Sequence, residues 1–508
     1  MTPQAVLRDL VDIGDGAFLD ALSEIARSEV LRLVPAQTGP AWEFGHELLH
    51  KAAYAGIPGG SRRSIHLAVA ERLAREPGVV TAARVAWHLT EAGLVEPALD
   101  AWLRAALTAA EADAYQDGLA HLDRARALVA HVADEMARDR YRLRIALATG
   151  TSAVQTHGPT AASTRQAFDE AGELADRAGT AKQRFEARWG AWLVVLHSGD
   201  LQQAAGLADS LAALVPELHD PALVLEAHHV RWSGLILLGR TEEALAHARA
   251  GITIYQPDEH HRLTFSFGGH DPGVCARNIA ALSLWLVGDR EESRQLSADA
   301  VALARSLGHP YSQLEACYAV LTIAAVEGRL DDLATHLATL DTLGEQHLVP
   351  DAVRSYADGF RGALAHWSGN DDAALRLLEP AAPVWREFWG TWCLPLDTLL
   401  AATLLRIGRI ADALRVLYAA QQLATSSNAP WWDAEILRLR AVADRGRQSA
   451  DEVTSLLQQA TGAARRTGAV SLEQRVRDTA DELLGRAATA AKPQAQGELR
   501  RAPRCRAP

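Results

Sequence analysis

The chain has 508 residues, of which 48% are apolar and 22% charged, and its formal net charge is −12. This acidity argues against a general nucleic-acid binder, because contacts with phosphates require a basic surface. Four cysteines without a CxxC pair exclude a dense disulfide framework and favour a reduced, cytoplasmic protein. No apolar run reaches the roughly 18 residues that span a bilayer, and the N-terminus lacks a signal-peptide pattern, so we expect neither membrane insertion nor export.

The first 77 residues do not follow the pattern of the rest of the chain. Residues 16–34 predict a helix running into a short strand, residues 41–57 a second strand turning into a helix, and residues 60–75 a further helix beginning at Ser61. This order is typical of a winged-helix-like unit, which we predict over residues 1–77. Since it shows no basic recognition helix, we interpret it as a structural spacer, with a DNA reader as the alternative.

Glycines recur along the remaining chain at intervals of 39 to 49 residues. They are Gly199, Gly239, Gly288, Gly328, Gly369 and Gly408. An apolar helical run flanks each one on both sides, and glycine tolerates the left-handed conformation that ends a helix. A repeat of this length is typical of stacked helical hairpins. The sequence therefore predicts an all-α, tetratricopeptide-like superhelical solenoid over residues 78–485.

The position five residues after each glycine is small in five of the six hairpins. The residues there are Ala204, Ala244, Ser293, Leu333, Ala374 and Ala413. We interpret this position as the point where the two helices of a hairpin cross closely. Because the stability of a solenoid is roughly a sum of local terms, we expect overpacking at Ala244 to disturb the adjoining hairpins and to spare residues 410–480.

A long insertion precedes the hairpin that turns at Gly288. Four residues are expected to interrupt any helix in it: Pro257, Gly268, Gly269 and Pro272. Five residues of metal-ligating type share the segment: His260, His261, His270, Asp271 and Cys275. Their spacing lacks the close pairs of structural metal sites, so we assign no metal. We expect Asp271 to cap the helix that begins at Pro272, His270 to lie in the turn and Cys275 to face the core.

Tryptophans crowd one helix end in residues 379–395, "EPAAPVWREFWGTWCLP". Large aromatic side chains commonly fill the gaps between helical hairpins, and exposed ones in a concave groove can anchor a peptide or ligand. We assign the candidate groove for a partner or ligand to five residues: Trp385, Trp389, Trp392, His270 and Asp271.

Motifs of common enzymes are missing. The chain has no phosphate-binding GxxxxGK[ST] loop, no HExxH zinc motif and no GxSxG nucleophile elbow. We therefore predict no catalytic residues, no cofactor and no enzymatic activity.

Several stretches nevertheless resemble a known family. Residues 42–73, 82–93, 268–293 and 433–443 resemble the winged-helix and tetratricopeptide-type region of bacterial signal-transduction ATPases that are linked to class III adenylate/guanylate cyclases or to LuxR-type regulators. The resemblance extends from about Trp42 to Leu484, and the "GGHDPGVC" stretch is its most specific part.

The resemblance implies a cytoplasmic sensor and scaffold that binds a protein partner or a small inducer. No nucleotide-binding or catalytic position of that family has a counterpart here, so we expect a standalone sensor or a piece of a longer regulator. Two alternatives stay open: a separated subunit of a cyclase or ATPase whose catalytic part is encoded elsewhere, and a DNA-binding transcriptional regulator acting through residues 1–77. Residues 486–508 predict a disordered basic tail.

Overall fold

Helices account for almost all regular structure in the computed structural model, which describes residues 2–36, 39–75, 79–346 and 351–490. The predicted all-α repeat fold is therefore confirmed. The chain divides into two compact units: the first comprises Met1–Ala153 and Glu170–Gly179, and the second comprises Val154–Asp169 and Thr180–Pro508.

The first unit combines a small antiparallel sheet with helices. Its elements are β1 (Thr2–Pro3), α1 (Gln4–Asp9), α2 (Asp15–Arg27), β2 (Leu31–Ala36), β3 (Gly39–Phe44), α3 (Glu47–Gly56), α4 (Gly59–Leu73), α5 (Val79–Glu91), α6 (Val95–Glu111), α7 (Tyr115–Val129) and most of α8 (Glu135–His157). The strand order is β1-β3-β2, and β2 pairs with β3 in the register Leu31↔Phe44.

The helices and the strand pair of residues 16–75 follow one another as the sequence predicts. Phe18, Leu22 and Trp42 form the small core that joins α2 to the sheet. Helix α4 begins at Gly59 after Pro58, so the expected start at Ser61 is wrong by two residues. Because α4 packs against α5, the predicted division at residues 77 and 78 does not separate the compact units. The winged-helix assignment stays a prediction.

The second unit is a series of helical hairpins. Its helices are α10 (Ala181–His197), α11 (Leu201–Leu218), α12 (Pro221–Leu237), α13 (Thr241–Ile254), α14 (Pro257–His260), α15 (Pro272–Val287), α16 (Arg290–Leu307), α17 (Pro310–Glu327), α18 (Leu330–Gln346), α19 (Asp351–Trp367), α20 (Asp371–Trp389), α21 (Leu394–Arg406), α22 (Ile410–Ser426), α23 (Asp433–Asp444), α24 (Ala450–Arg466) and α25 (Val470–Ala490). Helix α9 (Ala162–Ala178) has residues in both units.

The hairpin turns lie at the predicted glycines. All six have positive φ, between 71° at Gly239 and 100° at Gly288, which a residue with a Cβ adopts only with strain. The six residues five positions later are all buried. Leu333 is the largest of the six, so its hairpin accommodates a larger side chain at the same position.

The second unit winds back on itself. The first helices of successive hairpins pack side by side, from α12 through α15, α17, α19 and α21 to α23. The Thr241 hydroxyl then donates to the Thr467 carbonyl at 2.8 Å, and the rings of Trp285 and Trp432 stack with centroids 6.1 Å apart. The late hairpins therefore contact the early ones through both polar and aromatic side chains.

One segment of the described residues, Asp371–Arg406, which comprises α20, α21 and the turn between them, is long and apolar enough by composition to cross a membrane. Of its apolar window, 72% is buried inside the protein, which is typical of core helices. At the C-terminus, α25 continues to Ala490, beyond the predicted end of the repeats at residue 485. The rest of the predicted tail, residues 491–508, lies outside the described residues.

Candidate functional site

A cavity of about 70 Å³ lies within the second unit. Helices α10, α12, α15 and α17 and the end of α20 contribute its walls, which include Trp192, His229, His270, Cys275, Tyr311, Tyr318, Trp389 and Trp392. This volume admits a few water molecules or one small side chain. The cavity is therefore suited to a small ligand or to a single inserted group.

Asp271 fixes the loop that carries one wall of the cavity. Its Oδ1 accepts from the Val274 amide at 3.0 Å, which confirms the predicted cap of α15. Its Oδ2 accepts from the Tyr255 hydroxyl at 2.8 Å, and its own amide donates to Ser312 Oγ at 2.9 Å. Since Asp271 is fully buried in these contacts, it positions the neighbouring His270 and does not itself line the cavity.

Two glycines of the "GGHDPGVC" stretch allow this path. Gly269 has φ +77° and lies against Gln155, so a side chain there would be both strained and blocked. Gly273 lies against the ring of Tyr255, which leaves no room for a Cβ. The specific residues of this stretch thus serve one purpose, which is to bring His270 and Cys275 to the cavity.

A polar cluster lines one side of the cavity. The Nε2 atoms of His229 and His270 are 3.2 Å apart, and His229 Nδ1 lies 3.0 Å from Glu226 Oε2. Cys275 Sγ accepts a hydrogen bond from Trp232 Nε1 at 3.4 Å. One ligand atom each from His229, His270 and Cys275 lies within 4.8 Å of the others, a grouping that could hold a metal ion.

Burial dominates the electrostatics of this cluster. It lowers the pKa of His229 to about 3 and that of His270 to about 4, because an imidazolium loses its hydration there. Burial also raises the pKa of the Glu226 carboxyl and of the Cys275 thiol well above their ordinary values. The environment therefore favours the neutral form of all four groups unless a cation joins them.

Sequence reasoning found part of this cluster. His260 instead accepts from the Gln256 amide at 2.9 Å, and His261 pairs with Asp271 at 3.0 Å, so neither reaches the cluster. His229 and Glu226 were missed because they lie on α12, about forty residues earlier. The only signal for them in the sequence is their i, i+3 spacing, which places both on one face of the helix.

The three predicted groove tryptophans separate into two environments. Trp385 is 2% exposed and stacks on Tyr356 with centroids 5.1 Å apart, so it belongs to the core. Trp389 and Trp392 are half-buried and line the cavity with His270. The structure thus brings three of the five predicted groove residues to one cavity and places Trp385 and Asp271 behind its walls.

No protein-family model matches this chain. An uncharacterised protein of Rhizobium meliloti (strain 1021) is 24% identical over 487 residues, an alignment that covers 93% of this chain. The alignment covers 46% of that protein, so the chain spans about half the length of this relative.

Three solved structures that match this chain are distant from it in sequence. A Rap protein complexed with competence and sporulation factor shares 12% identity, covering 76% of this chain and 98% of its own, with a TM-score of 0.40. The quorum sensor NprR from B. thuringiensis shares 11% sequence identity. The match covers 71% of this chain and 96% of NprR, with a TM-score of 0.43. A signal transduction ATPase from Pyrococcus horikoshii with a tetratricopeptide repeat sensor shares 11% sequence identity. The match covers 95% of this chain and 62% of the ATPase, with a TM-score of 0.42.

Proposed function

We propose that this chain is a non-catalytic repeat scaffold and sensor of a bacterial cytoplasmic signalling system, of the kind attached to signal-transduction ATPases or cyclases. A small inducer, or one side chain of a protein partner, is bound in the cavity of the second unit. The resemblance of residues 42–73 and 268–293 to such regulators supports the signalling assignment.

The observation that carries this proposal is the convergence of Trp192, Trp389 and Trp392 on the cavity. Trp392 is held in place by the Tyr318 hydroxyl, which donates to its carbonyl at 3.0 Å.

The chemistry of the walls defines the ligand. Aromatic faces accept an apolar or planar group, and the imidazoles of His229 and His270, which line the cavity, can hydrogen-bond a polar atom such as a carbonyl or carboxylate oxygen. Since the cavity measures about 70 Å³, the bound group is a small inducer or one side chain of a partner with its carbonyl. The surrounding hairpin surface would contact the rest of a protein partner.

Binding can be measured through intrinsic tryptophan fluorescence of the full chain. The probes are N-acetyl amino-acid amides and small carboxylates, which offer an apolar group and an oxygen acceptor. We expect saturable binding by a subset of them and a loss of about tenfold or more in affinity for Trp389→Ala, because a buried aromatic anchor is commonly worth 2 kcal/mol or more.

Trp367→Ala is the matched control. Trp367 is 40% exposed on α19 of the second unit, and it does not line the cavity. Equal weakening by both variants, or binding untouched by Trp389→Ala, would remove the cavity from the proposal. If no probe binds, the proposed ligand is a macromolecular partner. Capture of a partner from native cytoplasm with the same pair of variants then tests this.

We expect the purified chain neither to hydrolyse ATP nor to form cyclic nucleotide, since it has no GxxxxGK[ST] loop. Phosphate release and cyclic-nucleotide formation are the assays, and turnover that co-purifies with the chain contradicts this expectation.

A separated cyclase or ATPase subunit would show turnover only after its catalytic partner is added. A regulator acting through residues 1–77 would instead bind DNA with an affinity that falls with salt.

A further inference from the structure

We propose that His229, His270 and Cys275 bind one Zn²⁺ ion, whose fourth coordination position opens into the cavity of the second unit. Imidazole nitrogen and thiolate sulfur are the ligands that zinc prefers, and two histidines with one cysteine form a known ligand set. This site goes beyond the proposed sensor function and does not depend on it.

The distance between the two imidazole nitrogens matches the distance between two nitrogen ligands of one metal ion. Two nitrogens bound to one tetrahedral zinc at about 2.0 to 2.1 Å are about 3.3 Å apart. The Nε2 atoms of His229 and His270 are 3.2 Å apart, and Cys275 Sγ lies within 4.8 Å of one ring nitrogen of each histidine. A sulfur bound to the same zinc at about 2.3 Å lies about 3.5 Å from each nitrogen, so binding requires the sulfur to move toward them by at most about 1.3 Å.

The other nitrogen of each histidine is already engaged. His229 Nδ1 faces the Glu226 carboxyl at 3.0 Å, and the Gly268 backbone hydrogen-bonds the His270 imidazole. A carboxylate or carbonyl acceptor on one ring nitrogen fixes the tautomer that leaves the other nitrogen free for a metal. In that pair of tautomers both Nε2 atoms offer a lone pair to a metal, whereas without a metal a proton on one of them forms the N–H···N hydrogen bond that the 3.2 Å distance also fits.

Charges balance when the ion is bound. The Cys275 thiol loses its proton to solvent and forms the bond from sulfur to zinc, while the Trp232 indole donor supports the thiolate at 3.4 Å. With Glu226 ionised behind His229, two negative charges offset the dication in a buried site. Glu226 is fully buried, so its carboxyl is shielded from solvent and lies directly against His229 Nδ1.

The fourth position faces the cavity. Among the described residues, the group of potential ligands contains only His229, His270 and Cys275. Zinc sites with three protein ligands keep an open position for water or an exogenous donor. A carboxylate or carbonyl of a cavity ligand can therefore coordinate the ion directly.

The test is titration of the untagged, chelator-treated full chain with Co²⁺ and then Zn²⁺. We expect one equivalent of Co²⁺ to give a thiolate-to-cobalt absorption band that Zn²⁺ abolishes. Cys275→Ser should lose the band, and His270→Gln should weaken binding. Glu226→Gln should keep the band but lower the affinity about 10- to 100-fold, because Glu226 positions a ligand without touching the ion.

Cys317→Ser and Cys505→Ser are the controls. Cys317 is buried outside the group, and Cys505 lies beyond the described residues. Both variants should retain the band, and circular dichroism of every variant without metal checks folding. No band from the wild type at one equivalent, or an unchanged band in folded Cys275→Ser, would overturn the site and leave a neutral hydrogen-bonded chain of Glu226, His229 and His270. Neither result bears on ligand binding measured without metal.

Discussion

Replacing Glu435 with Gln is expected to lower the free energy of unfolding by about 3 to 5 kcal/mol, the cost of removing one partner from a buried ion pair. Glu435 is 4% exposed on α23. Its Oε1 accepts from Arg438 at 2.6 Å and from Arg475 on α25 at 2.8 Å. Arg475 also donates to the Val326 carbonyl at 3.1 Å, so the carboxylate joins three helices.

Stability should also depend on pH through this residue. Burial alone would raise the pKa of Glu435, but Arg438 and Arg475 outweigh it and hold the pKa well below its ordinary value. A depressed pKa means that the unfolded state binds the proton more readily than the folded state. The stabilisation of the folded state by ionised Glu435 is therefore complete above about pH 4.3 and is lost as the pH falls further. Below that pH, the free energy of unfolding measured in urea should therefore fall more steeply with pH for the wild type than for Glu435→Gln.

Glu291→Gln is the matched control for Glu435→Gln. Glu291 pairs with Arg294 at the surface, where its side chain is 88% exposed. Exposed pairs contribute about 0 to 1 kcal/mol, so this variant should leave the urea midpoint nearly unchanged. Equal effects of the two variants would show that burial of Glu435 carries no special cost.

Ala244→Leu is expected to destabilise the protein by about 1 to 3 kcal/mol, the usual cost of overpacking a core. Ala244 is fully buried on α13, which packs against both α12 and α15. Glu243→Leu tests the exposed neighbour: the Glu243 side chain is 55% exposed in its pair with Arg240, so its replacement should cost far less. Similar costs for both would contradict the assignment of Ala244 to the helix crossing.

Hydrogen exchange should show where the damage of Ala244→Leu spreads. The sequence predicts lost protection over residues 225–290 and little change over residues 410–480. The structure corrects the second part, because Thr241 at the start of α13 donates to the Thr467 carbonyl and Gly239 lies against the Thr467 side chain. We therefore expect weakened protection near Thr467 as well, with the first unit little changed.

The hairpin architecture could be predicted because its causes are local. Glycine is favoured wherever the turn takes a positive φ, although Asp113 and Asn428 also adopt one, and a small residue is favoured at the crossing five positions after the glycine. Both requirements recur at a fixed period and are visible without knowledge of the fold. The cap of α15 by Asp271 was predictable for the same reason, since it depends on residues within three positions.

The cavity and its polar cluster could not be predicted from periodicity. Trp385 and Trp389 differ by four positions on one helix, yet Trp385 enters the core and Trp389 lines the cavity. Their environments depend on the angle at which later hairpins return to earlier ones, which no local signal encodes.

The sequence by itself determined the helical hairpins, their turns and the loop that presents His270, because each depends on backbone conformation over a few residues. Only the tertiary structure decided that α12 and α15 bring Glu226 and His229 to His270 and Cys275. It also decided that the solenoid closes far enough for Thr241 to reach Thr467. Small rotations between neighbouring hairpins add up along a repeat array, so contacts between distant repeats follow from the sum of many packing angles.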